Sequence, residues 1–229
     1  TQLKKIYKHL SSKKNNLYPV YTNHKNFKIS NRPKGINTGY VDTNKIIKSN
    51  EIIEAISSKK LLNILNGYFQ CKFKLDWIWA WWTFPSKNYI GPQKFHRDYE
   101  SFNFIKLFVY LTNVDKDSGP HQYIIGSHKK NKFFKRERFE DNKVYKSFKR
   151  KNIMTIKGKK GTTFLADTFG VHRGLHPKRK KRLVLVYLFS VIPSNRSPKI
   201  PMIEFNKLKK KTKERISNKY LYDLFIKFS

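Results

Sequence analysis

The sequence predicts a mainly β fold with flanking helices, of jelly-roll or barrel type, on three observations. From Asp76 to Ile192, short runs of β-branched and aromatic residues are separated by turn residues. A single clear helical period precedes them, and a basic segment follows. The chain of 229 residues, 38% hydrophobic and 15% aromatic, suits one domain with a sizeable buried core despite its 28% charged residues.

Residues 1–50 are polar, and Pro19, Pro33 and Gly35 interrupt any period, so an irregular arm or outer layer is expected there. In the next segment Asn50 can cap a helix and Glu51 and Glu54 sit in its first turn. Ile52, Ile53, Ile56, Leu61, Leu62 and Leu65 then recur at helical spacing until Gly67 stops the run. This predicts one supporting helix whose apolar stripe packs on the core. Strands are expected at 76–84, 104–112, 122–125, 153–156, 162–166 and 183–192. The tryptophans from Trp77 to Trp82 are expected in the core instead of on a substrate platform. In 104–112 the odd positions Ile105, Leu107, Val109 and Leu111 are aliphatic, whereas the even ones include Lys106, Tyr110 and Thr112. One face therefore packs and the other is free to line a cavity. Residues 206–219 read as a basic helix or coil, and the apolar residues of 220–226 dock the terminus. No internal repeat is present.

The formal net charge of +35, from 50 Lys and Arg against 15 Asp and Glu, makes nucleic acid a candidate partner. The basic residues form scattered runs, at 129–130, 157–160, 178–182 and 207–213, not one helical stripe. Lys, Asn, Ile, Phe and Tyr are all abundant, which A/T-rich codons supply without any ligand. Solvated faces are therefore favoured over a polyanion site. No run reaches the roughly 18 apolar residues of a membrane helix, and the first five residues carry no signal-peptide pattern, so a soluble, cytoplasmic protein is expected. Cys71 is the only cysteine, which excludes an internal disulfide and a cysteine-based zinc site; it reads as a buried small hydrophobe.

The chemistry-bearing pattern is His96-Arg97-Asp98, answered far downstream by His172. A His-x-Asp pair with a distant His is the ligand set of a two-histidine, one-carboxylate triad, which leaves positions open on Fe(II) for substrate and oxygen. Arg182, the last charge before Leu183-Val184-Leu185-Val186, suits a fixed cation that grips the distal carboxylate of 2-oxoglutarate in bidentate fashion. Arg179, in the same basic run, is its rival. His121, His128 and His176 read as structural, with His128 fixing the Gly-Ser-His turn. His96-Arg97-Asp98 followed by Asn103 also has the spelling of a protein-kinase catalytic loop, with Asp167-Thr168-Phe169-Gly170 as a faint partner. That reading fails: no Gly-rich phosphate loop or Val-Ala-Ile-Lys strand lies upstream, Thr168 is an insertion, and too few residues follow for a helical lobe.

Five segments occur in order: Phe95-His96-Arg97-Asp98-Tyr99-Glu100, the run 104–114, Ser118-Gly119-Pro120-His121, Ile125-Gly126-Ser127-His128-Lys129, and Thr168-Phe169-Gly170-Val171-His172-Arg173-Gly174. Together, over roughly 77–192, they resemble the phytanoyl-CoA dioxygenase-like family of Fe(II)/2-oxoglutarate-dependent oxygenases. The resemblance implies a double-stranded β-helix, two sheets folded as a jelly roll, with the iron at its open end. It implies a single domain with 77–192 as its core, 1–50 as an N-terminal arm and 193–229 as a C-terminal extension. The family's metal ligands carry over to His96, Asp98 and His172, and its 2-oxoglutarate arginine to Arg182. Gln93, Lys106 and Tyr110 are further candidate contacts to 2-oxoglutarate. Two departures stand out: Ile125 replaces the usual Pro before Gly-Ser-His, and Gly174 stands where some relatives place a small hydroxyl residue. Because Asp98 is present, the variant in which a halide replaces the carboxylate on iron is disfavoured, and hydroxylation with molecular oxygen is the expected chemistry.

The basic stretches 128–138 and 178–182 near the expected mouth favour an anionic small organic substrate. Two alternatives remain at this stage. A nucleic-acid-binding protein on the same fold would bind with steep salt dependence and need no iron. A Zn(II) hydrolase using the same ligands would act without 2-oxoglutarate.

Overall fold

The computed structural model describes the chain except residues 21, 23, 87–90, 217 and 229. In chain order its main elements are α1 (Gln2–Leu10), β1 (Asn16–Pro19), β2 (Phe27–Lys28), β3 (Thr38–Val41), α2 (Thr43–Ile46), α3 (Asn50–Glu54), α4 (Lys59–Phe69) and β4 (Lys74–Thr83). There follow β5 (Phe104–Tyr110), β6 (His121–Ile124), α5 (Asp141–Ser147), β7 (Ile153–Ile156), β8 (Thr163–Ala166), β9 (His172–Gly174) and β10 (Arg182–Ser190). The chain closes with β11 (Ile203–Glu204), α6 (Lys210–Arg215), α7 (Lys219–Tyr222) and β12 (Ile226–Lys227). Two antiparallel sheets carry the site: a large one in the order β2-β1-β3-β4-β10-β5-β8 and a small one in the order β7-β6-β9. Bridges from His96 to His172 and from Phe95 to Phe139 continue the small sheet sideways.

Alternation along the strands gives the large sheet two different faces. Ile78, Ala80 and Trp82 of β4, Ile105, Leu107 and Val109 of β5, and Leu183, Leu185 and Tyr187 of β10 point outward. There they meet Ile52, Ile53, Leu65 and Phe69 from the helices. The opposite residues, among them Trp79, Trp81, Lys106, Phe108, Val184 and Val186, line a cavity. Val186 lies opposite both Trp79 and Phe108, so three strands share one inner surface. Every residue of β10 is buried, as expected for a central strand covered on both faces.

Five expectations are corrected. Residues 1–50 are not irregular: α1 buries Ile6 and Leu10, and β1, β2 and β3 extend the large sheet. Strands of two to four residues are too short for their alternation to be read against a polar background. The single helix expected from Asn50 to Gly67 is two helices. The Ser58 hydroxyl accepts from Leu61 N at 3.3 Å and so starts α4 afresh, while Gly67 lies inside α4 and Gln70 ends it in the left-handed region at φ 53°. Asn50 is not a cap; its side-chain Oδ1 accepts from Lys209 N at 3.2 Å. The tryptophans do not share the core: Trp82 is in it, Trp77 packs at its edge, and Trp79 and Trp81 face the cavity. Cys71 is exposed.

The strands expected at 76–84, 104–112, 122–125, 153–156, 162–166 and 183–192 all form, with ends shifted by at most two residues. Leu221, Tyr222, Phe225 and Ile226 are buried and dock the terminus, as their apolar character predicted. Among the described residues, no helix is long and apolar enough to cross a membrane.

Candidate metal centre

Backbone pairing brings three metal-capable side chains together. His96 and His172 exchange N–H···O bonds of 2.9 Å in both directions, and Asp98 N donates to Thr168 O at 2.9 Å. The imidazole centroids are then 4.3 Å apart. One ligand atom from each of His96, Asp98 and His172 lies within 4.8 Å of the other two.

The tautomers follow from the neighbouring carbonyls. His96 Nδ1 is 2.8 Å from Lys94 O and His172 Nδ1 is 2.9 Å from Gly170 O. A carbonyl only accepts, so each Nδ1 carries a hydrogen and each ring turns its Nε2 inward. Those two nitrogens lie 3.6 and 3.4 Å from the Asp98 carboxylate oxygens. Two ring nitrogens and a carboxylate thus converge on one point, an arrangement that a cation suits. The charge states agree. Burial, then the neighbouring His172, pushes His96 well below its ordinary pKa. Burial alone would raise Asp98, but Lys106 and the histidines overcome it and hold the carboxyl well below the usual range. A neutral His96 and an ionised Asp98, with the His172 ring beside them, make a donor set suited to Fe(II).

Lys106 holds the outer side of this carboxylate. Its Nζ donates to Asp98 Oδ2 at 2.8 Å and to Glu100 Oε1 at 3.0 Å, and it lies 5.0 Å from the centroid of the Trp79 ring. Burial opposes its charge, but the two carboxylates win and its pKa is raised. Glu100 also accepts from Arg196 Nε at 2.8 Å. Arg196 sits on a loop anchored to buried Asp76, whose carboxylate accepts from Ser190, Ser194 and Ser197.

Arg182 stands at the other end of the cavity, 5% exposed. Its Nη1 donates to Gly119 O and its Nη2 lies 3.5 Å from Thr83 Oγ1, while its Nε has no partner. Burial lowers its pKa, and among the described residues no carboxylate forms an ion pair with it. The local backbone is shaped for it. Gly119 has φ +72° and would drive a Cβ to 2.3 Å from Leu175 O, and a Cβ at Gly174 would sit 3.0 Å from Arg182 Nη2. Arg179 is elsewhere, its side chain 73% exposed and paired with Asp117 at 2.6 Å.

Gln93 and Tyr110 also line the cavity. Gln93 Oε1 accepts from Asn37 at 3.3 Å, and the Tyr110 hydroxyl donates to Ile156 O at 2.9 Å and accepts from His121 N at 3.1 Å. His121, expected to be structural, is on the cavity wall between Arg182 and the triad. Its ring stacks on His172 with centroids 5.4 Å apart, and its Nε2 has no partner. Starting the strand at His121 instead of Gln122 would have put His121 and Tyr123 on one face, opposite Gly174 and His172, and exposed this role. His128 Nδ1 is 3.3 Å from the Tyr123 hydroxyl.

Arg97 and Ser127 do more to hold the Gly-Ser-His turn than His128. Arg97 donates to the carbonyls of Ser127, Lys130, Lys132, Phe133 and Phe169, and the Ser127 hydroxyl accepts from Val171 N at 2.7 Å. Nothing in the spelling His-Arg-Asp marked that task, because all five acceptors are backbone groups and carry no sequence signal.

The profile of the phytanoyl-CoA dioxygenase (PhyH) family matches residues 3–176. No curated protein matches the chain in sequence. Among solved structures the chain is similar to the epimerase SnoN of nogalamycin biosynthesis in complex with Fe3+, α-ketoglutarate and nogalamycin RO. The identity is 13% and the TM-score 0.56, over 82% of this chain and 72% of that one. It is also similar to AviO1 from Streptomyces viridochromogenes Tue57, at 13% identity and TM-score 0.53, over 84% of each chain. At such identities these likenesses concern the fold.

Proposed function

The chain belongs to the phytanoyl-CoA dioxygenase (PhyH) family, and from that premise we propose that it is a non-haem Fe(II)- and 2-oxoglutarate-dependent dioxygenase that hydroxylates a small, anionic organic substrate. The two sheets are read as the halves of a double-stranded β-helix with the site between them. One observation carries the reading. A converging His-Asp-His set and a buried arginine without an acid face the same cavity of about 300 Å³, one asking for a cation and the other for an anion.

His96, Asp98 and His172 would hold Fe(II), and Arg182 would hold the distal carboxylate of 2-oxoglutarate. With molecular oxygen, the iron and 2-oxoglutarate supply the oxidising power for attack on a C–H bond, leaving succinate and carbon dioxide. The Lys94 and Gly170 carbonyls fix the histidine tautomers, so both rings present Nε2 without rearrangement. Lys106 occupies Asp98 Oδ2, which fixes the carboxylate's rotation and keeps it ionised. Lys106 is thus assigned to positioning Asp98 instead of gripping 2-oxoglutarate. Gln93 and Tyr110 remain candidate contacts to 2-oxoglutarate from the cavity wall, and His121 joins them. Trp79, Trp81, Val184 and Val186 keep one side apolar and limit water.

The test is anaerobic addition of 2-oxoglutarate to Fe(II)-loaded protein, followed in the visible range. A saturable metal-to-ligand charge-transfer band is expected, absent in Asp98→Ala and right-shifted in Arg182→Met. No band from folded, iron-loaded protein would overturn the assignment.

A further inference from the structure

Among the described residues four cations line the cavity: Lys106, Arg138, Arg182 and Arg196. Lys106 is matched by Asp98 and Glu100, and Arg196 by Glu100. Arg182 is assigned above to 2-oxoglutarate. Arg138, exposed at the cavity rim, alone of the four has neither an acid partner among the described residues nor an assigned ligand. The acids near it in sequence are committed elsewhere, Glu140 to Lys94 at 2.8 Å and Asp141 to Arg173 at 2.6 Å, and among the described residues no ion pair joins Glu137 to it. We propose that the substrate carries an oxyanion, a carboxylate or a phosphate, which pairs with Arg138 on the His96 flank of the cavity. This rests on the oxygenase reading and narrows its substrate class.

Strand order fixes where that oxyanion lies. Across the small sheet come β6, β9, the 95–96 segment and then Phe139, since His121 pairs with Gly174, His172 with His96, and Phe95 with Phe139. Arg182 packs against Gly174, on the β9 side. Arg138, next to Phe139, is beyond His96 on the far side. With neighbouring strands roughly 4.8 Å apart, the two arginines flank the histidine pair from opposite directions. The 2-oxoglutarate carboxylate and the substrate oxyanion therefore do not compete, and the substrate body between them passes the metal ligands. Trp79, Trp81, Val184 and Val186 offer that body an apolar wall.

The segment bearing Arg138 is itself built for anions. Lys129, Lys130, Lys132, Lys135, Arg136 and Arg138 face a single acid, Glu137, along ten residues. Arg97 pins this segment through the Ser127, Lys130, Lys132 and Phe133 carbonyls, so the charges ride on a fixed rim. A positive rim at a cavity mouth raises the local concentration of anions, and a bidentate guanidinium then selects a planar or tetrahedral oxyanion.

The experiment uses full-length protein loaded with Fe(II) and 2-oxoglutarate under argon, at fixed ionic strength. Phenyl phosphate, benzoate and neutral benzyl alcohol are titrated while the charge-transfer band is monitored, in the wild type, Arg138→Ala and Arg138→Lys. Phenyl phosphate or benzoate is expected to perturb the wild-type band with at least about tenfold higher affinity than benzyl alcohol. Whichever does so identifies the oxyanion. That preference should vanish in Arg138→Ala and partly return in Arg138→Lys, with 2-oxoglutarate affinity unchanged in both. Equal anion binding by the wild type and Arg138→Ala, or no preference for either anion over benzyl alcohol, would overturn the proposal while leaving the oxygenase reading intact. Failure of the wild type to bind 2-oxoglutarate would overturn both.

Discussion

Arg97 and Arg182 are almost equally buried, at 3% and 5% exposure, yet their surroundings are opposite. On the outer side of the metal ligands Arg97 gives hydrogen bonds to five backbone carbonyls and lies 5.2 Å from the ring centroids of both Phe134 and Phe169. Arg173 nearby is likewise matched, by Asp141, Gln122 and Tyr145. On the cavity side Arg182 meets only neutral oxygens and keeps an unpartnered Nε. Burying a guanidinium costs several kcal/mol unless its charge and donors are answered. A buried arginine that is fully answered serves as scaffold, whereas Arg182, short of an anion, is the one proposed above to bind it.

The widest separation should come from removing each cation. Arg97→Met strands five carbonyls and frees the 127–134 segment, so it should lower stability by about 3–5 kcal/mol in urea unfolding of the metal-free protein. Arg182→Met removes an uncompensated buried charge and should leave stability within about 1 kcal/mol, or raise it. If both variants lose stability equally, the contrast collapses. Next in size, Asp98→Ala should weaken Fe(II) binding by more than about 100-fold, measured by competition with a chelator. Lys106→Met should weaken it by about tenfold, because Asp98 and Glu100 then repel one another and Asp98 can rotate. An unchanged Fe(II) affinity in Lys106→Met would refute the positioning role.

The smallest effect concerns pH. His96 and His121 are both held well below the ordinary histidine pKa, chiefly by burial and then by His172. A histidine depressed in this way binds its proton more tightly in the unfolded chain. The stability that its neutral form contributes is complete above about pH 6.5 and is lost as pH falls below that value. The metal-free protein should therefore lose up to about 1.4 kcal/mol per pH unit for each of the two histidines below that point. His121→Phe should flatten the slope by about half. An unchanged slope would place the His121 ring in a different protonation state from the one assigned.

Much of the large sheet was legible because its signal is periodic. In 104–112 the aliphatic odd positions face the core, and Lys106 and Tyr110 face the cavity, as their alternation implied. The metal-capable triad was legible through side-chain identity, since His96, Asp98 and His172 carry chemistry that few other residues can supply. What escaped depends on contacts without a sequence signature. The three N-terminal strands are too short to show alternation, and Ser58 splits a helix whose apolar stripe runs on without a break. Lys106 lay on the expected cavity face, but only the fold reveals that Asp98 and Glu100 neutralise it, and only the strand register puts His121 beside His172. Arg138 is one basic residue among six in sequence; its bridge neighbour Phe139 sets it apart in space.

The central claim, that Arg182 is short of an anion because it binds one, is tested most directly by thermal unfolding with Ni(II) as a redox-inert metal, with and without 2-oxoglutarate. Wild-type protein should gain about 2.7 kcal/mol at a hundredfold excess of 2-oxoglutarate over its Kd. Arg182→Met should start at least as stable and gain almost nothing at the same concentration. An Arg182→Met variant that is destabilised without ligand, yet responds to 2-oxoglutarate as the wild type does, would contradict the account.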